Sequence, residues 1–91
     1  MYIVIVKRSV QKSVQQMPLK EQLKFDMLTD DLKNKGPVQT GWPNYGILVG
    51  TTTYHCHLSH KWVVCWQETL EGIEIEVTYA GSRQNAPYAK H

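Results

Sequence analysis

Cysteine, long apolar runs and repeats are what this sequence has least of, and each shortage removes a class of protein. Two cysteines, Cys56 and Cys65, are too few for the disulfide framework of a small secreted domain. With no secretion signal they read as free thiols. The opening apolar run, Tyr2 to Val6, meets Lys7 and Arg8 at once, whereas a membrane span needs about 20 apolar residues. No segment repeats and none is of low complexity. A soluble, cytoplasmic protein is the expectation. At 42% hydrophobic and 20% charged residues, the chain of 91 has the balance of a folded protein, not of a disordered tail or a fibre. Its length suits a single domain over residues 1–91 with one core.

Net charge is small, formally +2, but unevenly spread. Residues 1–35 hold seven Lys or Arg against four acids, and residues 36–91 hold three against four. Three of the four histidines stand at 55, 57 and 60, where protonation would add positive charge. Nucleic acid is a plausible partner on this balance, though the balance alone does not establish it.

Tyr2 to Val6 is β-rich and apolar throughout, which predicts a strand buried on both sides. Ser9 is positioned to cap a short helix carrying Val10, Val14 and Met17 at helical spacing. Pro18 ends it and opens a second helix, whose predicted apolar stripe is Leu19, Leu23, Met27 or Leu28, and Leu32. Gly36-Pro37 stops that helix. GPVQTGWPNYG (36–46) reads as a connecting loop that Trp42 and Tyr45 pin to the core. Ile47 to Val49 form a short strand. After Gly72, Ile73, Ile75, Val77 and Tyr79 alternate with Glu74, Glu76, Thr78 and Ala80, the pattern of a half-buried strand whose outward side continues the histidine face.

The stretch YHCHLSHKWVVCW (54–66) has the pattern of a hairpin turning at Ser59, His60 and Lys61. Alternation places His55 and His57 on one face, with Tyr54, Cys56 and Leu58 on the other. Trp62, Val64 and Trp66 then match the apolar face, leaving Val63, Cys65 and Gln67 beside the histidines, and the two cysteines on opposite faces. The order β-α-α-β-β-β-β predicts an α+β fold: a small, mainly antiparallel sheet with an N-terminal helical hairpin packed on one side. Arg83 and Tyr88 follow the last strand, close enough to return to the open face.

Histidine, arginine and tyrosine on one sheet face supply the parts for acid-base cleavage of RNA. Such cleavage needs a base for the 2′-hydroxyl proton, an acid for the departing 5′-oxygen and a cation on the phosphate. Glu74 or Glu76 would be a further acid-base candidate. By composition alone, solvated surface histidines explain the pattern as well, and Trp62 and Trp66 read as core. His55, His57 and Cys65 would also make three zinc ligands without a fourth.

GWPNY, YHCHL, VVCWQ and AGSRQNAPY together resemble the RelE/ParE superfamily of toxins from bacterial type II toxin-antitoxin pairs, on its RelE-like, translation-inhibiting side. The resemblance implies a RelE-like fold and ribosome-dependent mRNA endonuclease (mRNA interferase) activity in the ribosomal A site. It implies 2′,3′-cyclic phosphate and 5′-OH products, no metal or other cofactor, and a cognate antitoxin as partner in a hetero-oligomer. Position by position, it assigns His55, His57, Arg83 and Tyr88 to catalysis; Lys61 and His60 in the turn are read beside them as RNA- and phosphate-binding, supplying positive charge. Familiar members carry lysines where this chain has the two histidines. A ParE-like inhibitor of DNA gyrase, acting through the basic helical hairpin, and a catalytically inactive antitoxin-binding remnant are the alternatives.

Overall fold

The computed structural model describes residues 1–69 and 72–88, so the last three residues of the tail read above lie outside it. Its elements run β1 (Ile3–Val6), α1 (Arg8–Gln15), α2 (Leu19–Lys35), β2 (Gly46–Ile47), β3 (Tyr54–His57), β4 (Trp62–Glu68) and β5 (Glu74–Ser82). The five strands form one sheet in the order β1-β5-β4-β3-β2. β1 lies parallel to β5 and the other pairings are antiparallel. This is the α+β layering expected from the sequence.

One sheet face is sealed by the helices. Val10, Val14, Met17, Phe25, Leu28 and Leu32 meet Cys56, Leu58, Val64, Trp66, Ile75, Val77 and Ala80 in a single core. Leu28, Leu32 and Trp66 are fully buried; burying a leucine side chain completely contributes about 1.5–3 kcal/mol. The hairpin pairs as its alternation dictates, with His55 opposite Cys65, Cys56 opposite Val64 and His57 opposite Val63. Both cysteines are free and buried.

Four details of the sequence reading are corrected. β1 is an edge strand with one open face, so Ile3 and Ile5 are exposed while Val4 and Val6 face the core. Ser9 does not cap α1: the helix already begins at Arg8, and Lys7 holds the cap position without a side-chain bond. The buried stripe of α2 is Glu21, Phe25, Leu28 and Leu32, whereas Leu19, Leu23 and Met27 face outward. β2 closes at Ile47, leaving Val49 in the turn that follows.

Two connections position the site. Gly36 ends α2 at φ +89°, and a Cβ there would lie 2.7 Å from the Tyr2 ring. The loop that follows is held by three bonds: Trp66 Nε1 donates to the Pro37 carbonyl (3.0 Å), Trp42 Nε1 to Asp31 Oδ2 (2.9 Å) and the His57 amide to the Pro43 carbonyl (2.8 Å). Tyr45 stacks on Tyr54 and tilts against Trp66. Trp42 and Tyr45 thus do anchor the loop.

Candidate active site

Because side chains alternate, the face opposite the helices carries His55 and His57 from β3 and Val63 and Cys65 from β4. On β5 the register skips a residue: Cys65 pairs with Tyr79 but Trp66 pairs with Val77. Thr78 is the extra residue of a β-bulge, which reverses the alternation beyond it. Ala80 joins the core, while Tyr79 and Gly81 lie on the histidine face, opposite Cys65 and Val63. The uninterrupted alternation predicted for Tyr79 therefore fails at that point. The Tyr79 hydroxyl donates to the Ser82 carbonyl (2.7 Å), and a Cβ on Gly81 would sit 2.8 Å from that hydroxyl. Glycine is what lets the ring lie across the strand.

Beyond β5 the chain turns back. The Arg83 amide donates to the Lys61 carbonyl (2.7 Å), which ties the segment to the tip of the β3-β4 hairpin. Ala86 is buried, and the Tyr88 ring tilts over His55 with centroids 5.2 Å apart. A cleft of about 1120 Å³ results. All six residues singled out in the sequence, His55, His57, His60, Lys61, Arg83 and Tyr88, line it. Asn44, Trp62, Ser82 and Gln84 line it too, and the sequence reading had given them no role at the site. Trp62 packs on the core as expected but shows its other side to the cleft.

The glutamates are not part of it. No carboxylate is among the described residues lining the cleft, and Glu76 is bound to Lys7 at 2.8 Å on the far part of the sheet. Nor do three or more His, Cys, Asp or Glu side chains converge as a metal-binding group among the described residues. Burial pushes the Cys65 thiol up to about 12, so it holds its proton at neutral pH and is a poor ligand or nucleophile.

Electrostatics distinguish the two histidines from solvated surface residues. His57 is only 9% exposed. Burial lowers its pKa from the ordinary value, and the positive charge of Arg83 lowers it further, followed by His55 and His60. Burial also lowers the pKa of His55 and raises that of Tyr88. At neutral pH the site thus offers uncharged imidazoles and a protonated phenol. His55 Nδ1 and the Tyr88 hydroxyl are both buried without a hydrogen-bond partner among the described residues, and orphaned polar groups of this kind call for an explanation. Lys61 and Arg83, both exposed at the rim, provide cations.

No family model and no curated protein matches the sequence. Solved structures do match. The archaeal RelE-RelB complex from Pyrococcus horikoshii superposes with a TM-score of 0.76 at 20% identity, covering 93% of this chain and 98% of that one. A YoeB/ParE toxin from Agrobacterium tumefaciens gives 0.73 at 12% identity, over 89% and 98%. The heterotetrameric YoeB-YefM toxin-antitoxin complex from Staphylococcus aureus gives 0.69 at 14% identity, over 89% and 95%. Over nearly its whole length, the chain has the fold of the RelE and YoeB toxins.

Proposed function

We propose that this protein is the toxin of a type II toxin-antitoxin pair, a RelE-like endoribonuclease that cleaves mRNA on the ribosome in the cytoplasm. The observation that carries the reading is the convergence of His55, His57, Arg83 and Tyr88 in one cleft with no carboxylate among the described residues lining it. A cleft lined by cations and histidines attracts a polyanion, and carboxylates would repel it. Matching structures include complexes with RelB and YefM, which supports a cognate antitoxin as the protein partner.

In this scheme Arg83 and Lys61, with His60 at the rim, hold the RNA phosphates, arginine by its planar fork. Neutral His57 takes the proton of the 2′-hydroxyl. The 2′-oxygen attacks phosphorus, the bond to the 5′-oxygen breaks, and that oxygen leaves as a hydroxyl. The phosphate raises the pKa of neighbouring His55, so that His55 takes a proton from solvent as RNA binds and gives it to the departing 5′-oxygen, while His57 later releases its own to solvent. Tyr88 stays protonated and donates a hydrogen bond that orients the scissile nucleotide. The products are a 2′,3′-cyclic phosphate and a 5′-OH, and no step uses a metal.

One observation favours a rival. Leu19, Leu23 and Met27 of α2 are exposed beside Lys20 and Lys24, a surface suited to the helical-hairpin contact of a gyrase inhibitor. Expression in a bacterial host, with new RNA 5′ ends mapped for wild type and His57→Ala/Arg83→Ala, separates the two. Codon-phased cuts that vanish in the double variant support the nuclease. Growth arrest with intact mRNA and damaged DNA refutes it in favour of gyrase, and no arrest leaves only antitoxin binding.

A further inference from the structure

Asn44 has no part in that scheme, yet the chain holds it in an unusual way. At φ +55° it is the non-glycine residue with positive φ among those described. Asparagine adopts this left-handed conformation more readily than most side chains, at a small cost. Its neighbours allow it little movement. The Pro43 carbonyl accepts from the His57 amide, Tyr45 is stacked on Tyr54, and Gly46 pairs with His55. The bond from the His57 amide to the Pro43 carbonyl puts the next residue, Asn44, beside His57 on the β2 side of the cleft. Arg83 belongs to the β5 side. Asn44 is exposed, lines the cleft, and its carboxamide makes no hydrogen bond to another described residue.

A rigid loop thus presents a free donor-acceptor pair next to the residue assigned as base. Single-stranded RNA offers its base edges to such groups. An asparagine carboxamide matches adenine, whose N6 donates while N7 accepts. We infer that Asn44 is a specificity-determining residue: it reads an adenine in one of the two nucleotides flanking the scissile phosphate. The inference rests on the nuclease reading above.

The competing explanation is that asparagine is there for the turn alone. Asn44→Gly tests this directly, since glycine keeps the left-handed backbone and loses only the amide. Cut sites are mapped for wild type, Asn44→Gly and Asn44→Asp under identical induction. Wild type should show adenine enriched at one flanking position, and Asn44→Gly should lose that enrichment by roughly tenfold or more, the discrimination expected of one bidentate base contact. Asn44→Asp, able only to accept, should shift the preference toward cytosine with its N4 donor. An unchanged preference in both variants, or loss of all cutting in a folded Asn44→Gly, overturns the role of Asn44 and leaves the nuclease standing. Absence of cutting by wild type overturns both.

Discussion

Replacing Arg83 with glutamine should alter the pH profile of RNA cutting in a way that replacing His57 does not. His57 lies below its ordinary pKa of 6.5, first through burial and next through the charge of Arg83. More than roughly nine-tenths of it is therefore neutral at pH 7.5. If it is the base, the cleavage rate on programmed ribosomes rises with pH along an acid-side limb below 6.5 and falls again at higher pH, as His55 loses the proton it must give. Removing a general base costs about 10²–10⁴ in rate, or about 2.7–5.5 kcal/mol, so His57→Ala should fall by that much and lose the limb. Arg83→Gln takes a cation from the phosphate and should lower the maximum rate by about 10²–10³. It also removes the second-largest cause of the depressed His57 pKa, so the limb should move to higher pH. Arg83 is exposed, and glutamine at that position should fold normally. Single-turnover rates from pH 5 to 9 decide the matter. A limb that stays in place in Arg83→Gln, or survives in His57→Ala, means that His57 is not the titrating base.

Stability measurements probe the scaffold. Leu28→Ala, at a fully buried position, should cost about 2–5 kcal/mol in urea unfolding. Leu23→Ala, at 58% exposure, should change stability by less than about 0.5 kcal/mol; equal losses would refute the observed face of α2. Gly36→Ala combines a positive φ with the Tyr2 ring in its way and should lose roughly 1–3 kcal/mol. Gly50→Ala has positive φ but open space and should lose less. Folding holds His55 and His57 below 6.5, so the unfolded chain binds more protons once the pH drops past that value. Their contribution is complete above about 6.5 and is lost as pH falls through the folded values. The midpoint of thermal unfolding should accordingly drop between pH 7.5 and 5, and by less in His57→Gln. An identical drop in that variant would show that His57 is not held neutral by the fold.

The hairpin from Tyr54 to Trp66 was legible because two alternating segments share one register, and a single turn length satisfies both. α2 was legible as a helix but not in its orientation. Leu19, Leu23 and Met27 recur every four residues, and Phe25, Leu28 and Leu32 lie at spacings of three and four, so one helix carries two apolar stripes. Periodicity admits either; the sheet beneath selects the second. β1 misled for a related reason, since its uniform apolarity resembles that of a central strand although it lies at an edge. The loop from Gly36 to Gly46 read as a connector because its role rests on long-range bonds, Trp66 to Pro37 and His57 to Pro43, that local sequence does not announce.

What the sequence concealed most completely is why Arg83 meets the histidines at all. Strict alternation from Ile75 and Val77 would put Tyr79, Gly81 and Arg83 on the helix-covered side. Arg83 would then point away from His57, and Tyr79 would have to fit the core where Ala80 now lies. The single extra residue at Thr78 prevents this by exchanging the two faces for the rest of β5. A small alanine goes inward against Val64, Tyr79 folds across Gly81, and the chain leaves the strand on the side of the cleft. Nothing in the run Val77-Thr78-Tyr79-Ala80 marks such a skip, because threonine suits a strand on either face. The cleft is therefore assembled from two independent sources of handedness, the unbroken alternation of β3 and the broken alternation of β5, and the second can be seen only once the strands are paired.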